Sequence, residues 1–152
     1  MAAFVTIVRA SKRCKTPDRI GSKRVTRILL VEDDIDVRVL LEHVLVSAGC
    51  DVSAVETVKS AKRLLEARAY DLVVTDGSLP DGTGIDVADA AKARDVSALI
   101  VTGHALRLPQ DRLAEYTYLL KPVRPPELVD AIRRMLPKGD GAADILPFPK
   151  AN

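Results

Sequence analysis

Residues 28–34 read ILLVEDD, four β-prone apolar residues that run directly into three acids. An unbroken apolar run of this kind is typical of a strand that is buried on both faces of a sheet. The same pattern returns in DLVVTD at residues 71–76 and, ending in a hydroxyl, in SALIVT at residues 97–102. These strands therefore predict a buried sheet whose strand ends carry polar side chains.

Segments with helical periodicity separate the strands. The first helix is predicted from Ile35 to Ala48, with Asp34 as its N-cap and Gly49 as its end. Further helices are predicted at residues 60–69, 85–94 and 127–136, and further strands at residues 50–55 and 116–120.

Alternating strands and helices predict an α/β fold. The connections are too short for hairpins but suit helical crossovers, so we expect a doubly wound, five-stranded parallel sheet with helices on both faces, as in flavodoxin-like proteins. Pro109 interrupts residues 104–116. The fourth helix is therefore predicted to be short, near residues 110–115.

The charge is distributed unevenly along the chain. The net charge is +2, yet residues 1–27 carry eight Lys and Arg against one acid, and the remainder carries 15 basic and 20 acidic residues. We expect a disordered basic arm at residues 1–25, one folded domain at 26–137 and a C-terminal tail at 138–152. The arm could also be an organellar transit segment, a nonspecific contact to nucleic acid or acidic membrane, or an over-extended start.

The composition argues against several classes of function. Only 3% of residues are aromatic and Trp is absent, which disfavours stacking on single-stranded nucleic acid. Cys14 and Cys50 do not have the spacing of a metal site. No apolar run approaches the ~20 residues of a membrane span. We therefore expect a cytoplasmic protein without a DNA-binding domain.

The polar residues that end the strands indicate phosphoryl chemistry. Glu32, Asp33 and Asp76 would gather at one edge of the sheet with Thr102 and Lys121. Clustered carboxylates repel one another unless a cation intervenes, and Mg²⁺ prefers such oxygen ligands. Asp76 could then attack phosphorus, the Lys121 ammonium could neutralise the phosphoryl oxygens, and Thr102 could offer them a hydroxyl.

Five ordered motifs carry a family resemblance. The chain resembles the response-regulator receiver family of two-component signalling through ILLVEDD (28–34), DLVVTD (71–76), LP (79–80), IVTGH (100–104) and YLLKP (118–122), over about residues 26–137. The resemblance implies that Glu32 and Asp33 are the acidic pair that binds Mg²⁺. It implies that Asp76 is both the phospho-acceptor and a metal ligand. The backbone carbonyl of Ser78 would complete the protein's ligands, and Lys121 would pair with the phosphate.

The resemblance also implies a conformational switch. Thr102 would be the switch hydroxyl and Tyr118 the switch aromatic, while Ser78 and His104 would tune the lifetime of the phosphoryl group. The intervals from Asp76 to Thr102 and from there to Lys121 are shorter than is usual in the family. The quaternary habits of ordinary receivers are therefore not carried over, and the oligomeric state stays open.

Three functional hypotheses follow. The first is a stand-alone receiver that takes a phosphoryl group from a histidine kinase or phosphotransfer protein and signals through an unidentified partner. Such a protein is no enzyme beyond self-phosphorylation and slow autodephosphorylation. The alternative is a pseudo-receiver, an interaction scaffold that is not phosphorylated. A phosphohydrolase of the haloacid dehalogenase type is disfavoured, because Ser78 stands where that family has a second Asp.

Overall fold

The computed structural model describes residues 24–137 and residue 145. Most of the predicted basic arm and C-terminal tail therefore lies outside the described residues. The sheet strands are β1 (Arg27–Val31), β2 (Asp51–Val55), β3 (Leu72–Asp76), β4 (Ser97–Thr102) and β5 (Thr117–Leu120), and the helices are α1 (Ile35–Ser47), α2 (Val58–Ala67), α3 (Gly84–Lys92), α4 (Gln110–Leu113) and α5 (Pro125–Met135).

The five strands form one parallel sheet in the order β2-β1-β3-β4-β5. The predicted fold class is confirmed, and so is the short fourth helix, since α4 has only four residues. Residues 77–84 connect β3 to α3. They contain a small antiparallel hairpin, Ser78–Leu79 with Gly82–Thr83, directly after β3.

Two apolar cores lie on opposite faces of the sheet, because successive residues of a buried strand point to opposite sides. In β1, Ile28 and Leu30 enter the core that contains α1 and α5, whereas Leu29 and Val31 enter the core that contains α2 and α3. Ile145, from the region predicted as a tail, is buried in the first core. Both faces are thus covered by helices, and the carboxyl edge is left for polar groups.

Helix α1 begins and ends as predicted, within one residue. The Asp34 carboxylate accepts hydrogen bonds from the N–H groups of Asp36 and Val37, and Gly49 follows the helix with a positive φ of 93°. Leu40 belongs to the periodic apolar pattern but is exposed. The stripe that packs on the sheet is narrower, and Leu41, Val44 and Leu45 are its buried members.

Among residues 24–137, no helix combines the length and apolarity that crossing a lipid bilayer requires.

Candidate functional site at the carboxyl edge of the sheet

Three carboxylates meet where β1 and β3 end. Glu32, Asp33 and Asp76 each offer one oxygen, and these oxygens lie within 4.8 Å of one another. Glu32 is 1% exposed, whereas Asp33 is exposed at the rim. The neighbouring strands β1 and β3 deliver them together, because parallel strands end at the same edge.

Lys121 lies opposite the carboxylates, at the end of β5. Its Nζ donates to Glu32 Oε2 at 2.9 Å and lies 3.5 Å from Asp76 Oδ1. Burial raises the pKa of Glu32, and the nearby charge of Asp76 adds to this, although the hydrogen bond from Lys121 opposes it. Burial alone would lower the pKa of Lys121, but its contacts with Glu32 and Asp76 outweigh burial and raise it. The ammonium therefore stays charged beside Asp76.

The turn after Asp76 allows very close backbone approach. Asp76 Oδ1 accepts the N–H of Gly77 at 2.7 Å, and Gly77 O accepts the N–H of Gly84 at 2.9 Å. A Cβ on Gly84 would overlap the carbonyl oxygen of Asp76, and a Cβ on Gly77 would overlap the Thr102 hydroxyl. Two glycines thus let the chain fold tightly around Asp76.

The other predicted site residues are less closely grouped. Thr102 is buried beside Gly77, and its hydroxyl oxygen accepts the N–H of His104 at 3.1 Å. Ser78 is exposed at the start of the hairpin. Tyr118 lies on β5 with 42% of its surface exposed, outside both buried cores. The ring therefore occupies an outward position on the edge strand.

Two positioning contacts were missed by the sequence reasoning. The Asp81 carboxylate accepts the N–H groups of Val58 and Lys59 at 2.8 and 3.0 Å, which ties the loop after β3 to the start of α2. Those backbone hydrogen bonds lower the pKa of Asp81. Arg38 of α1 donates to the carbonyl oxygens of Glu32 and Asp33 at 2.8 and 3.4 Å. Neither contact has a local signal, since each joins segments whose proximity only the fold creates.

The donor set suits a hard divalent cation. Carboxylate oxygens in one cleft are the ligands that Mg²⁺ prefers, and an exposed Asp33 leaves room for the waters that Mg²⁺ retains. Glu32 already accepts Lys121 and the N–H of Asp34. Asp33 and Asp76 are therefore the better candidates for direct contact, with Glu32 behind them.

Fold and site together define a class of protein: a doubly wound α/β domain with an acidic cleft and a lysine at one sheet edge. Residues 28–133 match the model of the response regulator receiver domain family. The chain belongs to this family, which operates in two-component signalling.

Named relatives agree with this assignment. The chain is 34% identical over 115 residues to the response regulator receiver protein CpdR of Brucella abortus, covering 72% of this chain and 96% of that protein. It is 38% identical over 68 residues to the response regulator PilR of Pseudomonas aeruginosa, covering 45% of this chain but only 15% of PilR. What PilR does as a whole is therefore not carried over.

A solved structure of a similar protein holds the metal. The receiver domain of the sensor histidine kinase PA1611 from Pseudomonas aeruginosa has a magnesium ion coordinated in its active site cleft. It superposes with a TM-score of 0.66 at 29% identity, over 73% of this chain and 97% of that one. A receiver domain with this fold can thus hold Mg²⁺ in its cleft.

Proposed function

We propose that this chain is a phosphorylatable receiver. It accepts a phosphoryl group on Asp76 from a histidine kinase or phosphotransfer protein, uses Mg²⁺, acts in the cytoplasm and signals through a partner protein. The observation that carries the proposal is the cluster of three carboxylate oxygens within 4.8 Å of one another, with the Lys121 ammonium 3.5 Å from Asp76.

Asp76 is the proposed nucleophile. Its Oδ1 is held by Gly77 and Lys121, whereas Oδ2 accepts no hydrogen bond from the described residues. An oxygen of Asp76 would attack phosphorus in line, while the P–N bond of a phosphohistidine breaks and its electron pair leaves with the imidazole nitrogen. Bound Mg²⁺ would supply positive charge against the phosphoryl oxygens. Asp33, Asp76 and the carbonyl of Ser78 are its proposed ligands.

Lys121 and Thr102 would hold the product. The Lys121 ammonium can turn from Glu32 to a phosphoryl oxygen, because the new dianionic charge competes with one carboxylate. The Thr102 hydroxyl accepts from His104 and, within residues 24–137, donates to no acceptor. Its proton is therefore available to a phosphoryl oxygen. Inward movement of the Tyr118 ring would then change the exposed surface of β5 when Asp76 is phosphorylated. Thr102 and Tyr118 are therefore the proposed switch.

Labelling with a small phosphodonor tests the proposal. The purified chain is incubated with acetyl phosphate and Mg²⁺, and intact mass spectrometry follows the gain of one phosphoryl group. We expect labelling of the wild type, none for Asp76→Asn, and normal labelling for the control Asp111→Asn, whose carboxylate lies on α4. A chain that takes no label would instead be a pseudo-receiver, and labelling that persists in Asp76→Asn would contradict Asp76 as the acceptor.

Partner specificity needs a second experiment. Phosphoryl transfer from a purified phosphorylated kinase or phosphotransfer domain to Asp76 would identify the donor. A donor that labels the chain far faster than acetyl phosphate supports a relay role.

A further inference from the structure

Arg38 reaches back from α1 to the loop that carries the acidic pair. Its side chain is 14% exposed, and its Nη1 donates to the carbonyl oxygen of Glu32 at 2.8 Å and to that of Asp33 at 3.4 Å. Its Nη2 lies 3.2 Å from Oε1 of Glu56, the residue that follows β2. One guanidinium therefore joins the first helix, the acidic loop and the end of the neighbouring strand.

The rest of the loop is held at only a few points. The N–H of Glu32 donates to Val55 O at 3.0 Å, and the N–H of Asp34 donates to Glu32 Oε1 at 3.2 Å. Among the described residues, Arg38 is the side chain that holds the carbonyl groups of both acids. Without it, the loop keeps its contact with β2 but loses the contact that fixes its carbonyl side.

The orientation of Asp33 depends on this contact. The Asp33 carboxylate is exposed and has no hydrogen bond or ion pair within residues 24–137, so side-chain contacts do not direct it. Its direction is set by its backbone, and Arg38 fixes the two carbonyls on either side of its Cα. Residues that contact a metal ligand from behind commonly change the metal affinity of the site, because they orient that ligand.

We propose that Arg38 is a positioning residue that aims Asp33 at the divalent cation, an inference that rests on the proposed function. A planar guanidinium suits this task, because it can donate to two carbonyls and a carboxylate in one arrangement. Lysine offers the same charge from a single nitrogen and should orient the loop less well.

The sign of the change in Mg²⁺ affinity on removing Arg38 distinguishes a positioning role from a purely electrostatic one. A cation beside the site repels Mg²⁺, so if Arg38 acted only through its charge, its removal would strengthen Mg²⁺ binding. If Arg38 orients Asp33, its removal weakens binding despite the lost repulsion. The two readings thus predict opposite changes.

Calorimetric titration with Mg²⁺ alone makes this comparison. We expect Arg38→Met to bind Mg²⁺ about tenfold more weakly than wild type, and Arg38→Lys to lie between them. The control Glu56→Gln removes the ion pair but keeps the carbonyl contacts, so its affinity should stay within about twofold of wild type, since the exposed pair is worth little. Unchanged or tighter binding by Arg38→Met overturns the proposal.

Amide hydrogen exchange in the metal-free protein gives an independent readout. The amides of Glu32 and Asp34 should exchange roughly tenfold faster in Arg38→Met, with core strand amides unchanged, because only the loop opens locally. If wild type bound no Mg²⁺, the proposed function would fail, yet the exchange rates would still decide whether Arg38 holds the loop. If Arg38→Met did not fold, Arg38→Lys would carry both measurements, and wild-type values for it would count against the proposal.

Discussion

The acidic edge and the segment of residues 104–116 are held in opposite ways. At the acidic edge, Glu32 and Thr102 are almost fully buried, and Lys121 is tied to Glu32. Residues 104–116 form a single 3-10 turn and the four-residue α4, which two buried leucines, Leu108 and Leu113, attach to the core. The stability of the acidic edge therefore depends on a buried charge pair, whereas the attachment of residues 104–116 depends on a few apolar side chains.

A polar cluster at the surface supplements those anchors. Arg112 of α4 donates to both carboxylate oxygens of Asp89 on α3, at 2.5 and 2.7 Å, and to Glu115 at 2.7 Å. The Tyr116 hydroxyl donates to the same Asp89 carboxylate. These donors lower the pKa of Asp89, although burial acts in the other direction. Exposed pairs of this kind are worth little each, so this region should tolerate substitution.

The short α4 also leaves an uncovered surface. Leu106 is 91% exposed, and Tyr118 and Leu120 on one side of β5 are exposed as well. The carboxyl edge of the sheet is therefore held tightly, whereas the neighbouring segment is attached at few points.

Lys121→Met should have the largest effect on stability. It leaves the Glu32 carboxylate buried without its cation, which we expect to lower the free energy of unfolding by about 3 kcal/mol at pH 7 without metal. Because the pKa of Glu32 is raised in the folded state, the folded variant takes up a proton before the unfolded chain does. The loss should therefore shrink as the pH falls through that raised pKa, which urea unfolding at several pH values would detect.

A double variant checks the cause of that loss. Glu32→Gln combined with Lys121→Met removes both charges and should recover most of the lost stability. Equal stability of Lys121→Met and wild type would contradict the view that a buried charge pair holds this edge.

Gly77→Ala should have the second largest effect. The added Cβ would lie 2.6 Å from Thr102 Cβ and overlap its hydroxyl, and Thr102 is buried and cannot move aside freely. We expect a loss of about 2 kcal/mol, typical of overpacking. Gly103→Ala is the matched control, since its Cβ would meet no atom nearer than Lys121 Cβ at 3.8 Å. Equal losses for the two alanines in urea unfolding would show that the close approach at Gly77 is not what matters.

Much of this edge could be predicted from the sequence. Apolar runs ending in Glu32, Asp33, Asp76 and Thr102 define strands whose ends must coincide in a parallel sheet. The structure brings the three carboxylates together and places Thr102 beside Gly77, the residue after Asp76. Lys121 was placed at the same edge by the same reasoning. Its hydrogen bond to Glu32 was not foreseen, because the sequence suggested a phosphate as its partner.

Contacts between distant segments could not be predicted. Asp81 caps α2 and Arg38 holds the carbonyls of the acidic pair, yet each residue looks locally like an ordinary loop or helix residue. The hairpin after β3 was missed because its strands have only two residues each, too few for periodicity. The helical spacing of Leu40 predicts that it is buried, yet its side chain is exposed. The apolar pattern of the sequence indicates which face of a helix or strand is buried, whereas polar contacts between elements depend on the assembled fold.

Tyr116→Phe should have the smallest effect and tests the weakly held segment. Losing its hydrogen bond to Asp89 should lower the free energy of unfolding by about 1 kcal/mol at pH 7. Burial and the Asp89 carboxylate raise the pKa of Tyr116 to about 12 in the folded state, whereas in the unfolded chain it ionises near 10. The folded protein therefore binds more protons between these values, and the contribution is complete below pH 10 and lost as the pH rises toward 12.

The difference in the free energy of unfolding between wild type and Tyr116→Phe separates the contribution of this hydrogen bond from the effects of other groups that titrate at high pH. Urea unfolding between pH 8 and about 12 should show the two converge as the pH rises, since only wild type loses the bond. Tyr118→Phe is the matched control, because the Tyr118 hydroxyl has no hydrogen bond to any residue in the described part of the chain. Its curve should follow wild type throughout. If the Tyr116→Phe curve ran parallel to wild type instead, the Tyr116 bond to Asp89 would not help to hold the shortened segment, whose attachment would then rest on Leu108, Leu113 and the Arg112 contacts.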